Sequence, residues 1–121
     1  MTARMRELVQ FVLEAHNKSI KWLKAGAAAC NIARQYHELF EKQGYARNFL
    51  YGPCHGLGMM EVEPPWMEET SDYILVENMT FQVDSFCYEE RFGLRWENGG
   101  VVTTKGFDLF GGKFRRLIEI N

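Results

Sequence analysis

The first half of the sequence contains two stretches in which apolar residues recur every three or four positions, the spacing of one helix face. One covers residues 5–25 and is followed by Gly26; the other covers residues 28–43 and is followed by Gly44. Glycine is common just after a helix, so the pattern predicts a helical hairpin. The two apolar stripes consist of Leu8, Phe11, Val12, Ala15, Trp22 and Leu23, and of Ile32, Tyr36, Leu39 and Phe40.

After Gly44 the pattern changes to an alternation of apolar and polar residues, which is typical of strands with one buried face. Residues 78–88 alternate in this way, and residues 92–97 continue with Leu94 and Trp96 on one face and Arg95 and Glu97 on the other. Both segments are therefore predicted to be half-buried strands.

Two further strands are predicted at the end of the chain. Asn98-Gly99-Gly100 has the composition of a hairpin turn and leads into a predicted strand over Val101–Thr104. A last strand is predicted over Phe114–Ile120, after two glycines. Two helices followed by an antiparallel sheet make an α+β fold, and we expect residues 1–121 to form one domain.

Composition and charge exclude several classes of protein. A hydrophobic fraction of 46% is enough for a core, and a net charge of −2 argues against a nucleic-acid partner. No apolar run approaches the roughly 20 residues that span a bilayer, and the N-terminus lacks the features of a secretory signal. Three cysteines without CxxC spacing argue against a disulfide framework, so we expect a cytoplasmic protein.

Three side chains are candidates for metal binding. His55 lies in a glycine-rich segment, while Asp84 and Glu97 lie on neighbouring predicted strands. Two neighbouring carboxylates repel each other unless a proton, a cationic side chain or a metal ion separates them. Spacing alone leaves other interpretations open: a loop histidine, a solvent-facing Asp84, or a surface ion pair of Glu97 with Arg95 or Arg91.

Three segments, in the right order, resemble the motifs of one enzyme family. They are residues 54–65, CHGLGMMEVEPP, similar to GHGIGLxxHExP; residues 79–88, MTFQVDSFCY, similar to MvftiEPgiy; and residues 93–106, GLRWENGGVVTTKG, similar to GvRiEDxvlVTexG. The preceding helical hairpin fits as well. The family is the pita-bread fold of methionine aminopeptidase, Xaa-Pro aminopeptidase, prolidase and creatinase. The resemblance implies that this chain is the C-terminal half of such a fold, with a curved antiparallel sheet.

The resemblance also implies roles for individual residues. His55 falls on the family's metal-binding histidine, Glu97 on its last metal-binding glutamate, and Asp84 on another glutamate ligand, shortened by one methylene. A divalent ion of Mn, Co, Fe or Zn would suit this donor set. Glu63, Trp66 and Arg95 are expected to bind substrate.

Two departures from the family pattern lead us to expect an incomplete site and no catalytic residue in this chain. Family peptidases take two more ligands from aspartates that precede the helical hairpin, whereas the aspartates here are Asp72, Asp84 and Asp108, all after His55. The histidine of the HExP motif is replaced by Val62. His16 and His37 are expected to be packing or surface residues of the helices.

Three functions remain open on this basis. The chain is the C-terminal portion of an Xaa-Pro dipeptidase- or aminopeptidase-like hydrolase that needs an N-terminal half, or a non-catalytic module that binds peptides or proteins, or a scaffold for metal-assisted chemistry on a small non-peptide substrate. In the family the sheet runs through both halves, so this half is expected to expose a strand edge. We expect a homodimer formed through that edge or the helical face.

Overall fold

The computed structural model describes residues 1–118 and 120, which form two helices followed by an antiparallel sheet. This order agrees with the predicted α+β fold. The helices are α1 (Ala3–Trp22) and α2 (Ala29–Lys42). The strands are β1 (Cys54–Gly56), β2 (Glu63–Trp66), β3 (Thr80–Tyr88), β4 (Gly93–Val102) and β5 (Phe107–Leu109), and a 3-10 helix covers Gly112–Phe114.

The second helix ends one residue before its predicted end, whereas the first ends at Trp22, before the predicted end at residue 25. Gly26 and Gly44 adopt positive φ angles of 87° and 79°, which favour glycine. At the start of α1, the Thr2 hydroxyl oxygen accepts a hydrogen bond from the backbone N–H of Met5, as an N-cap residue does. Within the described part of the chain, no helix combines the length and apolar character needed to cross a membrane.

The sheet has the strand order β2-β1-β3-β4-β5, with every neighbouring pair antiparallel. Alternate residues of β3 face the helices and are buried, which leaves the other face for the remaining side chains. The apolar stripes of α1 and α2 cover this back face. Buried core residues include Leu8, Val12, Ala15, Ile32, Tyr36, Phe40, Phe81, Val83 and Cys87.

The predicted turn at Asn98-Gly99-Gly100 is wrong, because β4 runs through it without interruption. Glycine is required at positions 99 and 100 because atoms of other residues approach the backbone too closely to leave room for a Cβ atom. A Cβ atom on Gly100 would lie 2.5 Å from Cε1 of Phe107, and one on Gly99 would lie 2.7 Å from Oε1 of Gln82. The actual turn follows β4 at residues 103–106, so only the first half of the predicted strand Val101–Thr104 is strand.

The predicted last strand, Phe114–Ile120, is also wrong over its described residues. Residue 114 ends the 3-10 helix, residues 115–118 have no strand, and Glu119 lies outside the described residues. Arg115 donates a hydrogen bond from Nη1 to Oδ1 of Asn17 on α1 at 3.1 Å, so this segment packs against a helix instead of extending the sheet. The last strand is β5, paired with β4.

His16 forms a buried polar contact between α1 and the back of the sheet. Its Nε2 lies 2.9 Å from Oδ1 of Asn98, and its Nδ1 lies 3.4 Å from Oγ of Ser85. An amide oxygen only accepts, so Nε2 carries the proton and the Ser85 hydroxyl donates to Nδ1. Burial lowers the pKa of His16 to about 4, and the imidazole is therefore neutral near pH 7.

We predict that Gly100→Ala destabilises the fold by about 1–3 kcal/mol, because the new methyl group meets Phe107 and the backbone of Asp108. Urea unfolding followed by tryptophan fluorescence measures the loss. Gly106→Ala is the matched control, since a Cβ atom there meets no atom of the described residues within 4 Å. Equal losses in the two variants would contradict the assignment of Gly100 to close strand packing.

We predict that the free energy of unfolding falls as the pH drops from about 6.5 to about 4. In this range His16 is protonated in the unfolded chain but stays neutral in the folded chain, because burial lowers its pKa. The contribution of neutral His16 to the free energy of unfolding is fully present above pH 6.5 and amounts to about 3 kcal/mol. Urea midpoints across this range test it. His16→Gln, which keeps hydrogen-bonding groups but does not titrate, should flatten this part of the pH profile; an unchanged slope would refute the prediction.

Candidate metal centre

Three neighbouring strands bring His55, Asp84 and Glu97 together on the front face of the sheet. Asp84 in β3 is directly opposite Glu97 in β4, and His55 lies in the adjacent strand β1. Nε2 of His55 is 3.9 Å from Oδ2 of Asp84 and 3.7 Å from Oε1 of Glu97. One potential ligand atom from each residue lies within 4.8 Å of the others, a separation that one cation can bridge.

The imidazole of His55 is oriented with a free lone pair towards the two carboxylates. Its Nδ1 lies 3.0 Å from the carbonyl oxygen of Gly56, and because a carbonyl only accepts, Nδ1 carries the proton. In the neutral imidazole Nε2 then carries the lone pair, and this atom is buried without a hydrogen-bond partner among the described residues. A buried acceptor without a partner is costly, and neutral imidazole with the other nitrogen fixed by a carbonyl is the usual form of a metal-binding histidine.

Arg95 lies between the two carboxylates. Its Nε donates to Oδ1 of Asp84 at 2.9 Å, and its Nη2 donates to Oδ2 of Asp84 at 2.7 Å and to Oε1 of Glu97 at 2.9 Å. The hydrogen bonds to Asp84 first, and then the negative charges of Asp84 and Glu97, raise the pKa of Arg95 above its ordinary value. Asp84 is only 1% exposed, which excludes the solvent-facing alternative, whereas the alternative of an ion pair between Glu97 and Arg95 is present.

A cavity of about 250 Å³ opens beside His55 and Asp84, which line it, whereas Glu97 is not part of its lining. Trp66, predicted to bind substrate, lines it with its ring centroid 6.4 Å from that of His55. Val62, at the position of the missing histidine, forms part of the wall, so this side of the cavity is apolar. Arg95 lines it as well.

Glu63 does not line this cavity with the other two predicted substrate residues. Its Oε2 accepts a hydrogen bond from the backbone N–H of Met60 at 3.0 Å, which fixes the loop before β2. The glycines near His55 have a related role, because a Cβ atom on Gly56 would lie 2.4 Å from the carbonyl oxygen of Pro64. They allow β1 and β2 to approach closely.

Tyr51 and Met67 line the cavity but carry no signal in the sequence pattern. Burial first, and then the charge of Asp84, raise the pKa of Tyr51 to about 12, so its phenol stays protonated beside the carboxylate. The one available clue was position: an aromatic residue directly before Gly52-Pro53, four residues ahead of His55.

The other two histidines lie outside the centre, as predicted for packing and surface residues. His16 is buried behind the sheet. His37 on α2 contacts the carboxylate of Glu69 and stacks on Phe49 with ring centroids 5.0 Å apart.

Comparison with known proteins gives a consistent result. The model of metallopeptidase family M24 matches residues 1–104. The Xaa-Pro dipeptidase of Lactobacillus helveticus is 32% identical over 108 residues, which cover 88% of this chain and 29% of that protein.

Solved structures show the same partial match. An Xaa-Pro dipeptidase from Bacillus anthracis aligns with a TM-score of 0.89 at 25% identity, over 97% of this chain and 33% of that one. An X-Pro aminopeptidase from Thermotoga maritima aligns with a TM-score of 0.83 at 29% identity, over 89% of this chain and 31% of that one. The chain thus spans about a third of the length of these relatives and has their fold over that part.

Proposed function

Because the chain belongs to metallopeptidase family M24, we propose that it contributes three ligands to a divalent-metal centre in a protein that acts on Xaa-Pro peptides. One observation carries this proposal: the buried Nε2 of His55, which has no hydrogen-bond partner in the described part of the chain, faces the carboxylates of Asp84 and Glu97. A nitrogen and two carboxylate oxygens on a rigid sheet form a donor set that suits Mn, Fe, Co or Zn.

Each residue of the centre has a definite task in this proposal. His55 and the two carboxylates hold the ion, which, when bound, supplies Lewis-acid activation of a water molecule or a carbonyl group. Trp66 and Val62 provide an apolar wall against the substrate and limit the access of bulk water. Arg95, 45% exposed at the rim, is placed to contact a polar group of a peptide. Glu63 is omitted because its carboxylate is bonded to the loop before β2.

We further propose that residues 1–121 do not hydrolyse peptides unaided. The resemblance implies two aspartate ligands that precede the helical hairpin, and no aspartate precedes His55 in this sequence. The resemblance also implies a histidine where Val62 stands, and an isopropyl group can neither donate a hydrogen bond nor transfer a proton. Hydrolysis then requires an N-terminal half that brings the missing aspartates.

A second candidate is a non-catalytic module that binds peptides or proteins in the same cavity. Two observations favour it: the apolar Val62 in the cavity wall, and the guanidinium of Arg95, which already neutralises the carboxylates. In this case peptide binding would not depend on metal. Peptide titrations with and without a chelator distinguish the two candidates.

We propose a reducing compartment such as the cytoplasm as the place of action. Cys30, Cys54 and Cys87 are free thiols, and two of them are buried. Burial raises the pKa of the Cys54 thiol, so it is uncharged near pH 7 and behaves as a small core residue beside the centre.

We also propose that the chain self-associates. The edge strand β2 and the loop before it expose four large apolar side chains, here called the apolar strip: Met59, Met60, Val62 and Trp66. Pro64 and Pro65 lack N–H groups, so β2 is a poor template for backbone pairing with another strand. A second copy would therefore be held mainly by side chains of the strip, and not by an extended sheet.

We predict that the chain binds Mn²⁺ or Zn²⁺ in isothermal titration calorimetry at pH 7 and that His55→Gln weakens binding by about tenfold or more, because one ligand is lost. His37→Gln is the matched control, since it makes the same change on a histidine outside the centre. The Mn²⁺-loaded chain should release no proline from Xaa-Pro dipeptides. Equal affinities of the two variants would refute the metal centre, and turnover by the chain alone would refute its inactivity.

We predict that light scattering coupled to size exclusion reports twice the mass of one chain, and that replacing Met59 and Met60 by serine shifts the population towards monomer. The same replacements at Ile74 and Val76, which are also exposed, serve as the control. A monomer at every concentration, or equal effects of both pairs, would contradict self-association through the strip.

A further inference from the structure

Nη2 of Arg95 lies where a cation shared by the two carboxylates would be expected. It is within 2.9 Å of Oδ2 of Asp84 and of Oε1 of Glu97, the same two oxygens that face Nε2 of His55. The second carboxylate oxygen of Asp84 is occupied as well, by Nε of Arg95. One side chain therefore makes charge-assisted hydrogen bonds to the oxygens that the proposed metal ion would need.

A metal ion and this guanidinium compete for the same lone pairs. Two carboxylates directly opposite each other on adjacent strands repel, and the repulsion is removed by whichever cation lies between them. A divalent ion held by Asp84 and Glu97 would be repelled by the positive charge of Arg95 at hydrogen-bond distance. Both cations cannot keep their best contacts at once.

Arg95 is able to move out of this position. The side chain is 45% exposed, whereas that of Asp84 is 2% exposed, so the guanidinium has solvent beside it while its partner is enclosed. Its position in β4 also borders the cavity, which offers space for a second conformation. A rotation about the bonds of the long arginine stem leaves the backbone of the sheet unchanged.

We propose that Arg95 is a guanidinium latch, meaning an internal cation that occupies Asp84 and Glu97 and must turn outward before a divalent ion binds. The inference rests on the metal centre proposed above. The latch stabilises the metal-free fold and lowers the apparent affinity for metal, since only molecules with the latch open are competent to bind. If the open conformation is populated at about 10% or less, the affinity is lowered by about tenfold or more.

The test compares Arg95→Met with the unmodified chain by titration with MnCl₂ or ZnCl₂ alone. Methionine keeps much of the length and apolar stem of arginine but removes the charge and the donors. We expect Arg95→Met to bind the ion about tenfold more tightly or better. Without metal its thermal midpoint should be lower, because the buried carboxylate of Asp84 has lost its partner, and added metal should raise the midpoint by more than in the unmodified chain.

Arg91→Met is the matched control, because it removes the same charge from an exposed residue between β3 and β4 and should leave the metal affinity unchanged. Arg95→Lys keeps the charge without the forked hydrogen bonds and should give an intermediate affinity, which provides a readout should Arg95→Met fold poorly.

The outcomes separate the latch from the metal centre. Metal binding that is equal or weaker in Arg95→Met, with the unmodified chain still binding, overturns the latch and makes Arg95 a residue that merely positions Asp84. Absence of binding in all variants overturns the metal centre and the latch together. Binding by Arg95→Met but not by the unmodified chain supports the latch in its strongest form.

Discussion

The pairing of β3 with β4 sets Asp84 directly opposite Glu97, and most features of the front face follow from that contact between like charges. Carboxylates at this separation on a rigid sheet need a cation between them. Arg95 supplies one in this structure, and the lone pair of His55 completes a donor set for another. Either Arg95 or a bound metal ion can thus remove the repulsion between the carboxylates of Asp84 and Glu97. Under the proposals above, metal binding depends on which of these two cations lies between them.

Sequence periodicity was sufficient to predict the elements whose two faces differ strongly in polarity. The helices α1 and α2 and the strand β3 lie close to their predicted positions, because a buried stripe must repeat with the period of its element. Sequence context made His55, Asp84 and Glu97 candidates for metal binding, and the resemblance to metallopeptidases implied that they are ligands. Pattern alone placed His55 in a glycine-rich segment and could not show that β1 lies beside β3.

The failed prediction of a turn involves glycines whose packing is set by distant neighbours. Gly99 and Gly100 resemble a turn locally, yet they make room for Gln82 and Phe107 across the sheet. A substrate contact of Glu63 stays a prediction, and in the structure its carboxylate accepts a hydrogen bond within its own loop. Tyr51 was missed because a loop has no period from which its orientation can be inferred. For Gly99 and Gly100 the deciding contacts are with residues distant in sequence, and local sequence does not encode them.

The hydrogen bonds of His16 join the first helix to the strands that bear the carboxylates. Ser85 and Asn98 are the chain neighbours of Asp84 and Glu97, and they project to the opposite side of the same two strands. Proteolytic removal of residues 1–22 would keep every proposed ligand in the remaining chain. It would also remove the helix whose His16 is hydrogen-bonded to the strands that carry two of these ligands. The smallest fragment able to hold this constellation in register therefore includes the N-terminal helix, although that helix contributes no side chain to it.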